Sequence, residues 1–116
     1  MLLVYGISNC DTVASARQWL HERAIAHEFH DLRKEHVDAH TIELWLETLG
    51  RDRLINKSSA TWRTLDSTQR AQIDEGNPLP VILANPTLMR RPVLVGENLL
   101  HCGFNKADYE LLFPRT

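Results

Sequence analysis

Near its amino terminus the chain reads Leu2-Leu3-Val4-Tyr5-Gly6-Ile7-Ser8-Asn9-Cys10-Asp11-Thr12. The apolar run at residues 2–5 predicts a short buried strand, and residues 6–9 predict a turn. After the turn, apolar side chains recur at helical spacing, at Val13, Ala16, Trp19 and Leu20. We therefore expect a helix that begins at residues 10–12, with Cys10 at its start.

Cys10 is the candidate nucleophile of the chain. Free amide groups and the positive end of the dipole at a helix start stabilise a thiolate relative to a thiol. Asp11 opposes this effect, because a neighbouring negative charge disfavours a second one. The alternative is that Cys10 is a small, inert, buried residue that closes the strand. The sequence favours the reactive thiol, since an inert cysteine gives no reason for a turn to aim it at a helix start.

Composition limits the class of protein. A chain of 116 residues fits one domain, and 43% apolar with 24% charged residues is typical of a soluble globular protein. A net charge of -2 provides no basic surface for nucleic acid. The first apolar run is too short for a signal peptide or a membrane span. We expect a cytoplasmic monomer that binds neither nucleic acid nor a membrane.

The remaining elements are expected in a fixed order along the chain. Alternating side chains at residues 25–30 predict a second strand, joined to the first by a right-handed parallel crossover. Apolar positions in residues 37–49 predict a helix that Gly50 ends. Shorter signals predict a helix at residues 66–74, a helix at residues 79–84 capped by Asn77, an antiparallel hairpin at residues 92–101 with its turn at residues 96–98, and a closing helix at residues 105–113.

This order is similar to that of a thioredoxin-like α/β domain with a helical insertion. Four stretches of sequence carry a more specific family resemblance. They are residues 5–12, Phe29-His30-Asp31-Leu32-Arg33-Lys34, residues 54–57 together with residues 61–66, and Arg91-Pro92-Val93-Leu94. Together they resemble the ArsC/Spx family, and most closely its YffB branch. The resemblance implies one ArsC-like domain over residues 1–116 with a four-stranded mixed sheet. Its thioredoxin-like core would occupy about residues 1–34 and 86–116, and its helical insertion about residues 35–85.

The family divides by function, and the chain departs from two of its patterns. Arsenate reductases coupled to glutathione and glutaredoxin hold the oxyanion with several arginines, and here only Arg91 falls on such a position. Asn56 and Cys102 stand at or near the positions of the others. Spx-type regulators, which bind the RNA polymerase alpha subunit, commonly carry a Cys-x-x-Cys switch where this chain has Cys10 and Val13. Both activities remain alternatives.

The YffB-like pattern implies a glutathione-dependent thiol reductase that acts through Cys10. No cofactor would be bound, and glutathione would be a co-substrate. Cys10 as thiolate would attack a glutathione mixed disulfide, and a second glutathione would release the enzyme. Expected partners are glutathione or another small thiol, with a glutathionylated protein or glutaredoxin as further candidates.

Four residues would assist Cys10. Arg91 would stabilise the thiolate and hold a carboxylate or oxyanion, with Lys57 and Asn9 as further anion-binding candidates. Both Arg91 and Lys57 could instead be solvated surface charges. Pro92, whose counterpart in relatives is cis, would shape the site through its backbone; the alternative is a simple edge-strand start.

The second cysteine and the histidines complete the list of candidates. Cys102 is either a resolving thiol or, as the sequence favours, a small buried residue near a strand end. The chain has no Cys-x-x-Cys pair, which argues against zinc or a dithiol centre. His36 and His40 share a helical face without a further ligand set, so no metal site is expected.

Overall fold

A computed structural model of the protein describes residues 1–115. The chain divides into two compact units, one made of Met1–Asp31 with the chain from Arg91 onward, the other of Leu32–Arg90. We call them the sheet unit and the helical unit. Their elements in chain order are β1 (Leu2–Gly6), α1 (Asp11–Glu22), β2 (His27–Asp31), α2 (Ala39–Leu49), α3 (Arg51–Leu54), α4 (Ala60–Thr64), α5 (Ser67–Asp74), α6 (Leu79–Ala84), a 3-10 turn (Pro86–Leu88), β3 (Val93–Gly96), β4 (Leu99–Cys102) and α7 (Lys106–Leu112).

The sheet unit contains one four-stranded mixed sheet in the order β2-β1-β3-β4. β1 pairs in parallel with β2, and β3 is antiparallel to both β1 and β4. This arrangement confirms the expected α/β class and the hairpin. β2 begins later than the sequence predicted, because Ala24 has a positive φ of 57° and the Ile25 amide donates to Leu20 at the end of α1. Residues 25 and 26, which the sequence assigned to the strand, therefore lie in the connection between α1 and β2.

The core of the sheet unit lies between the sheet and helices α1 and α7. The helical spacing predicted for α1 is confirmed, since its buried residues are Val13, Ala16, Trp19 and Leu20. Tyr109 of α7 is fully buried and packs edge-on against the ring of Trp19, with centroids 5.4 Å apart. Burial raises the pKa of Tyr109 well above its ordinary value. Within residues 1–115 its hydroxyl has no hydrogen-bond partner.

Gly6, the last residue of β1, permits the close approach of α1. A Cβ atom on Gly6 would lie 2.8 Å and 2.9 Å from the two methyl carbons of Val13. Both distances are shorter than carbon atoms tolerate, so a larger residue requires the Val13 side chain or the backbone beside it to shift. The glycine therefore lets the first turn of α1, which follows Cys10, pack directly against the end of β1.

The helical unit is built from short, well-capped helices. α2 starts at Ala39, two residues after the prediction, because the carboxylate of Asp38 accepts a hydrogen bond from the Thr41 amide at 2.8 Å. The same bond holds the pKa of Asp38 below its ordinary value. Gly50, with a φ of 80°, ends the helix as predicted.

The other helices of this unit agree with the sequence only in part. α5 begins at a capping box made by Asp66 and Gln69, close to the predicted boundary. α6 has Pro78 at its N-cap position, whereas the sequence placed Asn77 there; Asn77 still accepts from the Leu79 amide at 3.2 Å. α3 and α4 were not predicted, because four and five residues are too few to show a helical period.

The contact at Gly6 predicts the outcome of a double-mutant cycle. Gly6→Ala should lower the free energy of unfolding by about 1–3 kcal/mol, because the new methyl group overpacks against Val13. Val13→Ala in the same chain should recover part of that loss, with a coupling above about 0.5 kcal/mol. Urea denaturation of the four proteins measures the cycle. Purely additive losses would contradict the proposed contact.

The buried hydroxyl of Tyr109 predicts an unusual stability effect. Tyr109→Phe should leave the free energy of unfolding unchanged or raise it by about 1 kcal/mol, because it removes an unpaired buried hydroxyl. Tyr109→Ala, which removes the ring as well, should lose about 3 kcal/mol or more. Urea denaturation measures both variants. A loss above about 1 kcal/mol in Tyr109→Phe would mean that the hydroxyl is hydrogen-bonded.

Candidate functional site

Cys10 occupies the N-cap position of α1, which confirms the predicted helix start. Its backbone is extended, with φ -115° and ψ 121°, and its carbonyl accepts the first helical hydrogen bond from Ala14 at 2.9 Å. The thiol is partly exposed and makes no capping hydrogen bond. The first amides of a helix lack intrahelical acceptors, so the start of α1 offers hydrogen-bond donors at the end where Cys10 lies. This environment agrees better with a reactive thiol than with an inert core residue.

Strand register brings four chain segments to the end of the sheet where Cys10 lies. Gly6 at the end of β1 is level with Asp31 at the end of β2. One residue earlier, Tyr5 pairs with Val93 at the start of β3, and Val93 pairs with Cys102 at the end of β4. We call this end of the sheet the Cys10 edge. It gathers the turn that carries Asn9 and Cys10 together with Asp31, Arg91, Pro92 and Cys102.

Arg91 and Pro92 enter the Cys10 edge just before β3. The peptide bond between them is cis, as the resemblance implied. Pro92 is fully buried, and its carbonyl accepts from the Gly103 amide at 3.0 Å. β3 lies between β1 and β4, so the alternative of a simple edge-strand start was wrong. Arg91 is partly buried, which places a permanent cation at this end of the sheet.

Lys57 and Asn9 occupy different surroundings. Asn9 is exposed in the turn and directly precedes Cys10. Lys57 belongs to the helical unit, where its ammonium group lies 2.6 Å from a carboxylate oxygen of Asp74 and 5.2 Å from the ring centre of Trp62. Much of its charge is therefore balanced locally. Anion binding by either residue stays a prediction.

Two further groups at the Cys10 edge are buried. Cys102 is 7% exposed at the end of β4, which confirms the small buried residue that the sequence favoured. Asp31 is also buried, 8% exposed, and the sequence analysis did not single it out as a site residue. An acidic residue that follows a strand usually marks a solvated turn. Only its register with Gly6 reveals a carboxyl group at the same end of the sheet.

Metal-ligand clusters and membrane-spanning helices are both absent from the described residues 1–115. Among residues 1–115, no three histidine, cysteine, aspartate or glutamate side chains are grouped as metal ligands would be. In the same range, no helix has the length and apolar character needed to cross a bilayer. The groups at the Cys10 edge are a thiol, a guanidinium group, a carboxyl group and backbone amides.

The mixed sheet, the cysteine at the start of α1 and the cis-proline before β3 define a thioredoxin-like protein. The sequence matches the model of the ArsC family over residues 5–112, and the chain belongs to this family. The match covers nearly the whole chain. It confirms the family to which the sequence motifs pointed.

Relatives of known sequence and structure support the assignment. An uncharacterised protein of Haemophilus influenzae is 39% identical over 113 residues, covering 97% of this chain and 99% of that protein. The global transcriptional regulator Spx 1 of Oceanobacillus iheyensis is 29% identical over 118 residues. The aligned region covers 100% of this chain and 89% of that protein. The solved structure of the protein YFFB (PA3664) has a TM-score of 0.89 at 33% identity, with 96% of this chain and 97% of that chain covered. The solution structure of an arsenate reductase (ArsC) related protein of Brucella melitensis has a TM-score of 0.76 at 38% identity, with coverages of 98% and 95%.

The charge of Asp11 predicts how the reactivity of Cys10 can be raised. Asp11 is exposed in the first turn of α1, so Asp11→Asn removes a negative charge beside the thiol. Alkylation of Cys10 at neutral pH should become about two- to threefold faster, because the thiolate is less disfavoured. Peptide mass spectrometry after timed iodoacetamide treatment measures the rate, with the buried Cys102 as internal reference. Glu22→Gln at the far end of α1 is the control, and an equal effect there would contradict the local mechanism.

Proposed function

We propose that the protein is a glutathione-dependent thiol reductase whose nucleophile is Cys10. The observation that carries the proposal is the position of this partly exposed thiol at the N-cap of a twelve-residue helix. Arg91 and the cis-proline Pro92 lie at the same end of the sheet. A thiolate in this setting is favoured by the helix dipole and by unpaired amide donors.

The reaction would proceed by two thiol-disulfide exchanges. The Cys10 thiolate attacks the glutathione sulfur of a mixed disulfide; the bond between Cys10 and glutathione forms as the substrate sulfur leaves as a thiolate and takes a proton from water. The thiolate of a second glutathione then attacks the glutathione sulfur bound to Cys10. Oxidised glutathione leaves, and the Cys10 thiolate is regenerated. Overall the mixed disulfide and one reduced glutathione give the free substrate thiol and one molecule of oxidised glutathione.

Arg91 and Pro92 would position the substrate for this exchange. The guanidinium group of Arg91 carries a charge at every physiological pH and can hold a carboxylate of glutathione in a paired hydrogen bond. Pro92 is buried and its carbonyl is bonded to Gly103, so the chain that carries Arg91 is fixed to the end of β4. Asn9 would contribute polar contacts from the turn.

A role as a regulator of the Spx type is the second candidate. It is favoured by full-length similarity to proteins named global transcriptional regulator Spx, with 29% identity in the first of them. In this chain the position three residues after Cys10 is Val13, which is buried against Gly6. A disulfide within that turn of the helix is therefore impossible, so a regulator built on this chain would have to work without the dithiol switch.

Steady-state reduction of a glutathionylated peptide by glutathione tests the proposal. Cys10→Ser should reduce turnover to the uncatalysed rate, whereas Cys102→Ser should retain it. Arg91→Ala should lower kcat/KM by about tenfold to a hundredfold, the loss expected when one charged hydrogen bond is removed.

Arg63→Ala is the matched control, because Arg63 is an exposed arginine of the helical unit. Lys57→Ala tests the remaining anion-binding prediction in the same assay. If the wild-type chain does not accelerate the reaction, the reductase proposal is wrong. Capture of the RNA polymerase alpha subunit by such an inactive chain would then support the regulator.

A further inference from the structure

A charged cleft opens in the helical unit. It has a volume of about 260 Å³ and lies where α3 begins and α5 ends. Its apolar part is formed by the buried side chains of Ile55 and Ile73. Its charged lining consists of Arg51, Asp52, Lys57, Asp74 and Arg90. We call it the Arg51 cleft.

Both arginines of the Arg51 cleft are anchored to backbone carbonyl groups. Nη1 of Arg51 donates to the carbonyls of Ile73 at 2.9 Å and Gly76 at 3.3 Å. Nε of Arg90 donates to the carbonyl of Arg53 at 3.0 Å. These bonds use one nitrogen of each guanidinium, and no other acceptor for either group occurs in the described part of the chain, residues 1–115. Each arginine is thus held in place with spare donors.

The backbone behind Arg90 is also fixed. Ile55 and Met89 form an isolated antiparallel bridge, flanked by hydrogen bonds from the Asn56 amide to Leu88 at 2.9 Å and from the Arg90 amide to Leu54 at 2.6 Å. A ligand that pairs with Arg90 would therefore meet a preformed partner. Binding to a preformed partner loses less free energy to the ordering of side chains.

The charge balance of the Arg51 cleft indicates the kind of ligand. The ammonium group of Lys57 is paired with Asp74 at 2.6 Å. Three cationic and two anionic side chains leave one net positive charge in the lining. This balance fits a singly charged oxyanion better than a phosphoryl group, which carries about −1.5 to −2 charges at neutral pH.

We infer that the Arg51 cleft binds a small carboxylate through the guanidinium groups of Arg51 and Arg90. Planar guanidinium groups match the two oxygens of a carboxylate and donate charge-assisted hydrogen bonds to them. Asn56 also lines the cleft; its side-chain oxygen accepts from the Ser58 amide at 3.0 Å, so its side-chain nitrogen is the group that can donate to a ligand. The inference does not depend on the chemistry of Cys10.

Titration of the full chain with acetate tests the inference. The probe is added to the ¹⁵N-labelled protein and followed by amide chemical shifts, with sodium chloride at equal ionic strength as reference and inorganic phosphate as competitor. Saturable shifts should be confined to the amides around Asn56, Ser58 and Arg90. Phosphate should bind more weakly than acetate.

Substitution of Arg51 and Arg90 distinguishes a specific acetate site from a general effect of positive charge. Arg90→Gln and Arg51→Gln should each weaken acetate binding about tenfold, the loss expected for one charge-assisted hydrogen bond. Arg51 also donates to carbonyl groups at the end of α5, so Arg51→Gln could unfold that helix. In that case the result for Arg90→Gln decides the test. Arg63→Gln, which does not line the cleft, should bind as the wild type does.

Three results would overturn the inference. They are an absence of saturable acetate shifts, equal shifts with chloride, and equal weakening by Arg63→Gln. Tighter binding of phosphate than of acetate would contradict the carboxylate assignment. None of these results would alter glutathione transfer by Cys10, so the two proposals fail separately.

Discussion

The contact between Gly6 and Val13 governs the geometry of the Cys10 edge. Because no Cβ atom fits between the end of β1 and the first turn of α1, that turn packs directly on the strand. Only residues 7–10 then separate the last strand residue from the helix, and Cys10 takes the N-cap position. Cys10 therefore lies at the amino end of α1, where it is partly exposed.

The parallel and antiparallel pairings of β1 determine which groups lie at the same end of the sheet as this thiol. The parallel partner β2 ends level with β1 and brings the buried Asp31, while the antiparallel partner β3 starts there and brings Arg91 and Pro92. The two cysteines differ in access, since Cys10 is partly exposed and Cys102 is buried. A mechanism with one nucleophile and an external thiol fits this difference, because an exposed thiol can meet both a substrate and a second glutathione.

Local patterns predicted most elements of the sheet unit, although β2 starts two residues later than expected. The apolar run before Cys10, the helical spacing after it and the turn at residues 96–98 each have a short-range physical cause, and all three elements are present. The helical unit was predicted less well, because α3 and α4 are shorter than two helical turns and leave no period to detect. Asp31 and the Arg51 cleft depend on strand register and on contacts between distant residues, such as Arg51 with Gly76. No local pattern encodes such contacts.

Site-resolved mass spectrometry after treatment with oxidised glutathione tests the central claim most directly. The folded chain is exposed to oxidised glutathione, sampled over time, and then exposed to reduced glutathione, and the peptides that carry Cys10 and Cys102 are quantified separately. The account predicts one glutathione on Cys10, little on Cys102, and removal by reduced glutathione. Absence of glutathione from Cys10, or its stable attachment to Cys102 alone, would contradict the assignment of Cys10 as the nucleophile.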